Sequence, residues 1–246
     1  PDIAAAFILT FARVGTLVML MPGIGERLVS ARARLSLALA LTLLLYPVAR
    51  PLLPLAGGPG GAFATLIGEI AVGLVLGLSV RMVIAALQTA GTIVAQEMGL
   101  GFAVTVDPSM GGQQPSIANF LNLLGLTLVF ASDLHHLAIG AVRASYTLLP
   151  PAGMPEAADA AKLAIRAVGH GFSLAVQISA PFIVFGVLVN VGLGVLARLI
   201  PQFQIFFIAM PATILGGMLV MMAVLAVMMG VFIEALGAHL AQLSGR

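Results

Sequence analysis

Two runs of this chain, Ala167–Ala197 and Leu199–Ile233, hold 31 and 35 consecutive residues without an Asp, Glu, Lys or Arg. A helix needs about 20 apolar residues to cross a hydrocarbon core about 30 Å thick. Each run is long enough for one crossing with residues to spare. A soluble domain has no surface on which to place them. Charged residues make up 8% of the chain, with 11 Lys+Arg and 9 Asp+Glu, whereas soluble domains carry about 25%. The mean hydropathy is +1.14. A soluble enzyme and a disordered chain are both excluded on this ground. An integral membrane protein remains, or a protein whose surface is covered by apolar sibling subunits.

The 246 residues have room for about six spans and short loops, and for no separate soluble domain. Cysteine is absent, which excludes disulfides, thiolate nucleophiles and Cys-ligated metals. The net charge of +2 is spread without a basic run, so nucleic-acid binding is not expected. Asp2 followed by apolar residues lacks the basic flank of a signal peptide, and Ile3–Met21 reads as a retained first span.

Pro22-Gly23-Ile24-Gly25 closes that span, and Glu26, Arg27, Arg32 and Arg34 follow as the densest charge cluster. By the positive-inside rule this loop is cytoplasmic. A second, short stretch runs from Leu35 to about Leu45. Pro47, Pro51, Pro54 and Gly57–Gly61 then mark a turn region. The third stretch, Phe63–Met98, would reach about 54 Å as one straight helix. It must tilt, break or project from the bilayer. Gly73 and Gly77 form a small-xxx-small pair suited to close packing. Residues 99–115 are rich in Gly and Pro and read as a loop. A fourth helix is expected over about Ser116–Leu149, and a separate amphipathic helix over Glu156–His170. Pro181 and Pro211 suggest kinks in the last two stretches.

Arg13, Arg81, Glu97 and Asp133 sit inside otherwise apolar helices. In lipid such groups must face partners or water-lined cavities. Four of them suggest packing within an assembly. Asn119, Asn122, Asp133, His136, Gly140 and Arg143 fall on one heptad stripe of the expected fourth helix. That seam reads either as a water-lined path or as interhelical hydrogen bonds to a neighbouring subunit. Gly186, Asn190, Gly194 and Arg198 recur every four residues and would admit another helix closely, with substrate binding as the alternative. Met218, Met221, Met222, Met228 and Met229 cluster late in the chain, as core filler or as an adaptable seal.

No metal or cofactor site is expected. Adjacent His135 and His136 point about 100° apart on a helix, which leaves only Asp133 and His136 on one face. Gly99-x-Gly101 lacks a third glycine in register, and neither Ser79 nor Ser173 sits in a Gly-x-Ser-x-Gly elbow. No catalytic set is found.

Five segments recur in a particular order. They are Phe11-Ala12-Arg13-Val14-Gly15 through Met21–Gly25, the Gly99–Pro115 loop with Phe102-Ala103 and Asp107-Pro108, Asp133-Leu134-His135-His136, Asn190 through Gly194 and Arg198 to Pro201-Gln202, and the later Pro211. Together these resemble the FliR family, the R component of the flagellar type III protein-export gate, with injectisome T components as homologues. The resemblance implies an all-α, multi-helix membrane-associated subunit with long kinked helical hairpins. A P-like part would cover about 1–150 and a Q-like hairpin part about 151–246. One such subunit would join several P-type and Q-type subunits in a funnel-like ring in the bacterial inner membrane, raised toward the periplasmic side. FlhB, FlhA, unfolded protein substrates and membrane lipid are the further partners implied.

By the same resemblance the 99–115 loop is the plug. Phe102 and Met110 would supply apolar seal contacts, and Asp107 would anchor the loop through backbone hydrogen bonds. Pro108, Gly111 and Gly112 would keep it from regular structure. The alternative is a rigid inter-helix linker. Arg13, Asp133, His136, Asn190, Gly194, Arg198, Pro201 and Gln202 are expected as interhelical or assembly contacts. A small-solute transporter or ion-channel subunit is the competing reading.

Overall fold

The structure is a computed structural model of the chain and describes residues 2–21, 23, 25, 29–53, 58–100, 116–151, 157–199 and 205–245. Among these residues it is all helix, with no strand. Helix α1 covers Asp2–Leu20 and α2 covers Ala31–Ala49, which runs on into a short 3-10 turn at Arg50–Leu52. Helix α3 is Gly58–Glu97, α4 is Ser116–Ala131, α5 is Leu134–Leu148, α6 is Ala157–Leu199 and α7 is Ile205–Leu243. Among the described residues five helices are long and apolar enough to cross a membrane. The α4–α5 pair makes a sixth span if counted as one broken crossing.

Three of these elements differ from the sequence expectation. The second span starts four residues earlier than Leu35, because Ser30 caps it: its hydroxyl accepts from the Ala33 N–H at 3.3 Å. With the 3-10 turn it reaches 22 residues, Ala31–Leu52, long enough to span. The helix also runs through Pro47, whose missing N–H falls in its last turn. The expected fourth helix is two helices, bent by 75° between Ala131 and Leu134. Asp133 sits at the break with φ 57, a left-handed conformation. The amphipathic segment 156–170 is not a separate helix, for its residues from Ala157 on continue into the next stretch as the 43-residue α6. Nothing between Arg166 and the apolar run stops the helix, since Gly169 and Gly171 are tolerated there. Helix α3 does not break at all, and at 1.5 Å per residue its 40 residues reach about 60 Å.

The chain forms two compact units. One contains Pro1–Ile84, Leu128–His170 and Ala235–Arg246, and the other contains Ala85–Thr127 and Gly171–Glu234. In the first unit α2 packs along α1, where Phe7 and Tyr46 lie with ring centroids 6.1 Å apart. Ala6, Leu9 and Leu53 form a small buried cluster there, with Tyr46 and Leu66 against it. The first half of α3 approaches α1 through the expected glycine pair. A Cβ at Gly73 would strike Thr16 and the Arg13 carbonyl, and one at Gly77 would come within 2.7 Å of Leu20 Cβ. In the second unit a Cβ at Gly125 on α4 would run into Leu87, with Phe232 at 3.3 Å. Small residues thus set close contacts between helices in both units, as expected where apolar surface gives helices no reason to prefer one another over lipid.

Candidate functional site

Among the described residues, the most elaborate polar constellation is built around Arg13. Its side chain is fully buried on the apolar α1, and Glu69 faces it from α3 with 2% of its side chain exposed. A guanidinium carries five N–H donors in a fixed fork, and all five are used. Nε donates to Glu69 Oε2 at 2.6 Å, and Nη2 to Glu69 Oε1 at 2.8 Å. Nη2 also donates to the Leu149 carbonyl at 3.0 Å. Nη1 donates to the Ser145 carbonyl at 3.0 Å and to Ser145 Oγ at 3.4 Å. Ser145 Oγ is free to accept because its own hydrogen goes to the Val142 carbonyl, 2.7 Å away. Beneath the guanidinium lies the Tyr146 ring, 4.2 Å from centroid to Cζ. One arginine therefore ties α1 to α3 and to the C-terminal end of α5. The paired geometry offsets a desolvation cost of several kcal/mol per ion. Chemically it is a clamp: both charges are satisfied and neither meets solvent.

Sequence reasoning picked out Arg13 but not its partners Glu69, Ser145 and Tyr146. The available signal was the demand for a counter-ion: an arginine and a glutamate each isolated in an apolar helix. The other intrahelical charges are placed differently. Arg81 and Arg143 are exposed, and Glu97 is half-buried with its side chain against Gly186 of α6.

The expected plug residues Phe102, Asp107, Pro108, Met110, Gly111 and Gly112 lie outside the described residues, as do Pro201 and Gln202. The base from which that loop departs is described. Helix α3 ends where the Leu100 N–H donates to the Ala95 carbonyl and the Gly99 N–H to the Gln96 carbonyl, both at 2.9 Å. This paired closure needs a left-handed residue at its turn, and Gly99 supplies it with φ 77. Just before it, the buried Met98 packs so tightly on α7 that a Cβ at Gly217 would come within 2.5 Å of it. On the return side, α4 enters with the backbone of Ala118 against Gly91 of α3, where no Cβ would fit. Within the second unit, Gly91, Glu97 and Met98 of the α3 end and Ala118 of α4 are thus each closely packed against a neighbouring helix. Gly91 and Gly217 were not singled out from the sequence, because neither a lone glycine such as Gly91 nor the adjacent pair Gly216-Gly217 carries a helical period.

The polar seam does not survive as one stripe. It was drawn on a single helix, and the 75° bend at Asp133 divides Asn119 and Asn122 on α4 from His136, Gly140 and Arg143 on α5. Asp133 and His136 meet across the break, with Oδ1 and Nδ1 3.4 Å apart and both side chains largely exposed. The neighbouring histidines also come closer than a regular helix predicts. The His135 and His136 rings are 4.1 Å apart, and ligand atoms of Asp133, His135 and His136 all lie within 4.8 Å of one another. Both histidines lie in the first turn of α5, and their rings approach although their positions on the helix diverge. Asp133 and His136 are exposed, and His135 is half-buried.

Asn190, Gly194 and Arg198 lie on an exposed face of α6, and a Cβ at Gly192 or Gly194 would meet nothing within 4 Å. Val187, Leu188, Val191, Val195 and Leu199 are exposed around them. The methionine cluster splits: Met221, Met228 and Met229 are buried, whereas Met218 and Met222 are exposed.

Long apolar helices, glycine-mediated packing and one fully satisfied buried ion pair define a polytopic helical membrane protein. Residues 4–238 match the family described as bacterial export proteins, family 1, and the chain belongs to that family, as a FliR-type protein of flagellar biosynthesis. It is 45% identical over 214 residues to the flagellar biosynthetic protein FliR of Caulobacter vibrioides, covering 85% of this chain and 84% of that one. It is 31% identical over 216 residues to FliR of Escherichia coli, covering 87% and 81%. The surface presentation of antigens protein SpaR of Salmonella typhimurium is 24% identical over 227 residues, covering 91% and 83%.

Proposed function

We propose that this chain is a wall-and-gate subunit of the flagellar type III protein-export channel in the bacterial inner membrane. The observation that carries this is the family match along nearly the whole chain. The subunit carries out no chemical step. It lines and closes a conduit for unfolded flagellar substrates, with P-type and Q-type subunits as neighbours and FlhB and FlhA as further partners. Its N-terminal part, about 1–150, acts as the P-like portion and about 151–246 as the Q-like hairpin, with part of the complex raised toward the periplasmic side. The exposed Asn190–Gly194–Arg198 stripe supports docking of a neighbouring helix, because it is small, polar and open, and exposed apolar residues such as Val187 and Val191 flank it.

Within the 99–115 loop, about residues 102–115 act as the plug. Their Gly and Pro content resists regular structure, so the segment is able to fill the conduit and be displaced. The rigid base at Gly91–Ala118 and Met98–Gly217 supports this reading: a movable segment needs fixed ends. Deleting Gly111–Gln114 is expected to leave the complex assembled and to make cells leaky to ions. Unchanged membrane conductance with an intact complex would overturn the plug assignment.

A further inference from the structure

Among the described residues, Asp133, His135 and His136 are the one group of three His or acidic side chains close enough to share a metal ion, with one ligand atom from each within 4.8 Å of the others. All three belong to the first unit. The divergence of adjacent histidines on a helix argues against such a site, yet here the two rings lie 4.1 Å apart.

The backbone at the break leaves the carboxylate available. An aspartate that caps a helix ordinarily accepts a hydrogen bond from a backbone N–H of the first turn. Asp133 occupies the cap of α5 with φ 57, and its side chain makes no such bond. It lies beside His136 instead, with Oδ1 3.4 Å from Nδ1. A charge-assisted N–H···O bond is shorter, about 2.7–2.9 Å. Two ligands each about 2.0–2.1 Å from a tetrahedral zinc ion stand about 3.3 Å from one another. The observed separation fits two ligands of one ion better than a direct bond.

His135 brings the third donor. Its half-buried ring lies 5.4 Å from that of Phe130. Its Nδ1 is buried and has no hydrogen-bond partner among the described residues. A buried polar atom left unpaired costs free energy, and an ion drawn in among the three side chains gives this ring a partner. The closing movement required is at most about 1.5 Å, within reach of side-chain rotation.

Two imidazoles and one carboxylate are a donor set for zinc and its first-row neighbours, whereas magnesium and calcium take oxygen ligands. An organic cation would use the carboxylate and leave both imidazoles idle. We propose that Asp133, His135 and His136 bind a zinc ion, with water completing its shell. The ion ties the residue at the α4–α5 break to the first turn of α5. The inference stands on these three side chains and requires neither the gating role nor a position in the bilayer.

The test uses the full chain purified with the subunits it assembles with, stripped of metal by a chelator, dialysed, and titrated with zinc chloride in a calorimeter. A complex carrying His135→Gln with His136→Gln is titrated in parallel, so that the difference isolates this site from zinc taken up by other subunits. The parent complex is expected to bind one more zinc per copy of this chain than the double variant. Loss of an outer-shell partner already costs about 10–100-fold in metal affinity, so Asp133→Asn should weaken that zinc by at least about ten-fold. Asparagine tolerates the left-handed backbone, and an unchanged yield of complex checks that both variants fold. Cobalt chloride in place of zinc should give the strong visible absorption of a low-coordinate ion in the parent complex and lose it in the double variant. Equal zinc uptake by parent and double variant would overturn the proposal. Displacement of the zinc by millimolar magnesium would also overturn it, because magnesium would then be reading the carboxylate alone.

Discussion

The surroundings of Arg13 and the outer face of α6 treat unfavourable side chains in opposite ways. About half of the best apolar window is buried in α1 (50%) and α3 (56%), against 11% in α6 and 22% in α7. Around Arg13 every donor finds an acceptor inside the chain, and glycines bring the helices close enough for it to do so. On α6, among the described residues, a Cβ at Gly192 or Gly194 would meet nothing within 4 Å, and Arg198 is exposed. The same devices, small residues and an isolated cation, appear in both places. In one they are already used, and in the other they await a partner. The lesson is that a charge within an apolar helix does not by itself signal an intersubunit contact; its satisfaction inside the chain has to be checked first.

Substitutions separate the two regions most sharply where the first is complete. Arg13→Met should leave Glu69 buried without a counter-ion, at a cost of about 3–5 kcal/mol. Thermal unfolding of the purified complex should show a large fall in midpoint, whereas Arg13→Met with Glu69→Leu should recover much of it. A single variant as stable as the wild type would remove the clamp from the account. Next in size, Gly91→Val must push Ala118 off α3, an overpacking cost of about 1–3 kcal/mol. Its check is faster proteolysis within 99–116, with α1 and α2 unaffected. Asp133→Ala should cost about 1 kcal/mol, since alanine in a left-handed conformation has no local hydrogen bond to offset the strain, while Asp133→Gly should be neutral or better. The smallest effect on the chain itself is expected for Gly194→Leu, within about 0.5 kcal/mol, because the site is open. There the readout is the yield of assembled complex, which should fall, and Arg198→Ala should likewise reduce assembly more than it alters which substrates are exported.

The sequence announces what is periodic or punctuated and is silent about what depends on distant partners. Gly99 marks the end of α3 through its own backbone geometry, and Gly73 with Gly77 marks its closest face through their four-residue spacing. The break at Asp133 is marked only weakly: Leu128–His136 contains neither glycine nor proline, and an aspartate tolerates positive φ without requiring it. The amphipathic start of α6 looked like a separate helix because its charges end at Arg166, yet a change in polarity does not stop a helix. Arg13 was visible as an anomaly, but Glu69 lies 56 residues away and only the tertiary structure joins them. The membership in the export family was legible for a different reason, as five weak segments held in order along the chain.

The central claim is that the α6 face around Val191 is covered by another export protein in the working complex. Replacing Val191 with a photo-crosslinking residue such as p-benzoylphenylalanine and irradiating intact cells tests it directly. The account predicts a protein adduct of defined mass that contains a second subunit of the export apparatus and disappears when that subunit is deleted. Irradiation that yields lipid adducts alone, with the complex present at normal levels, would contradict it.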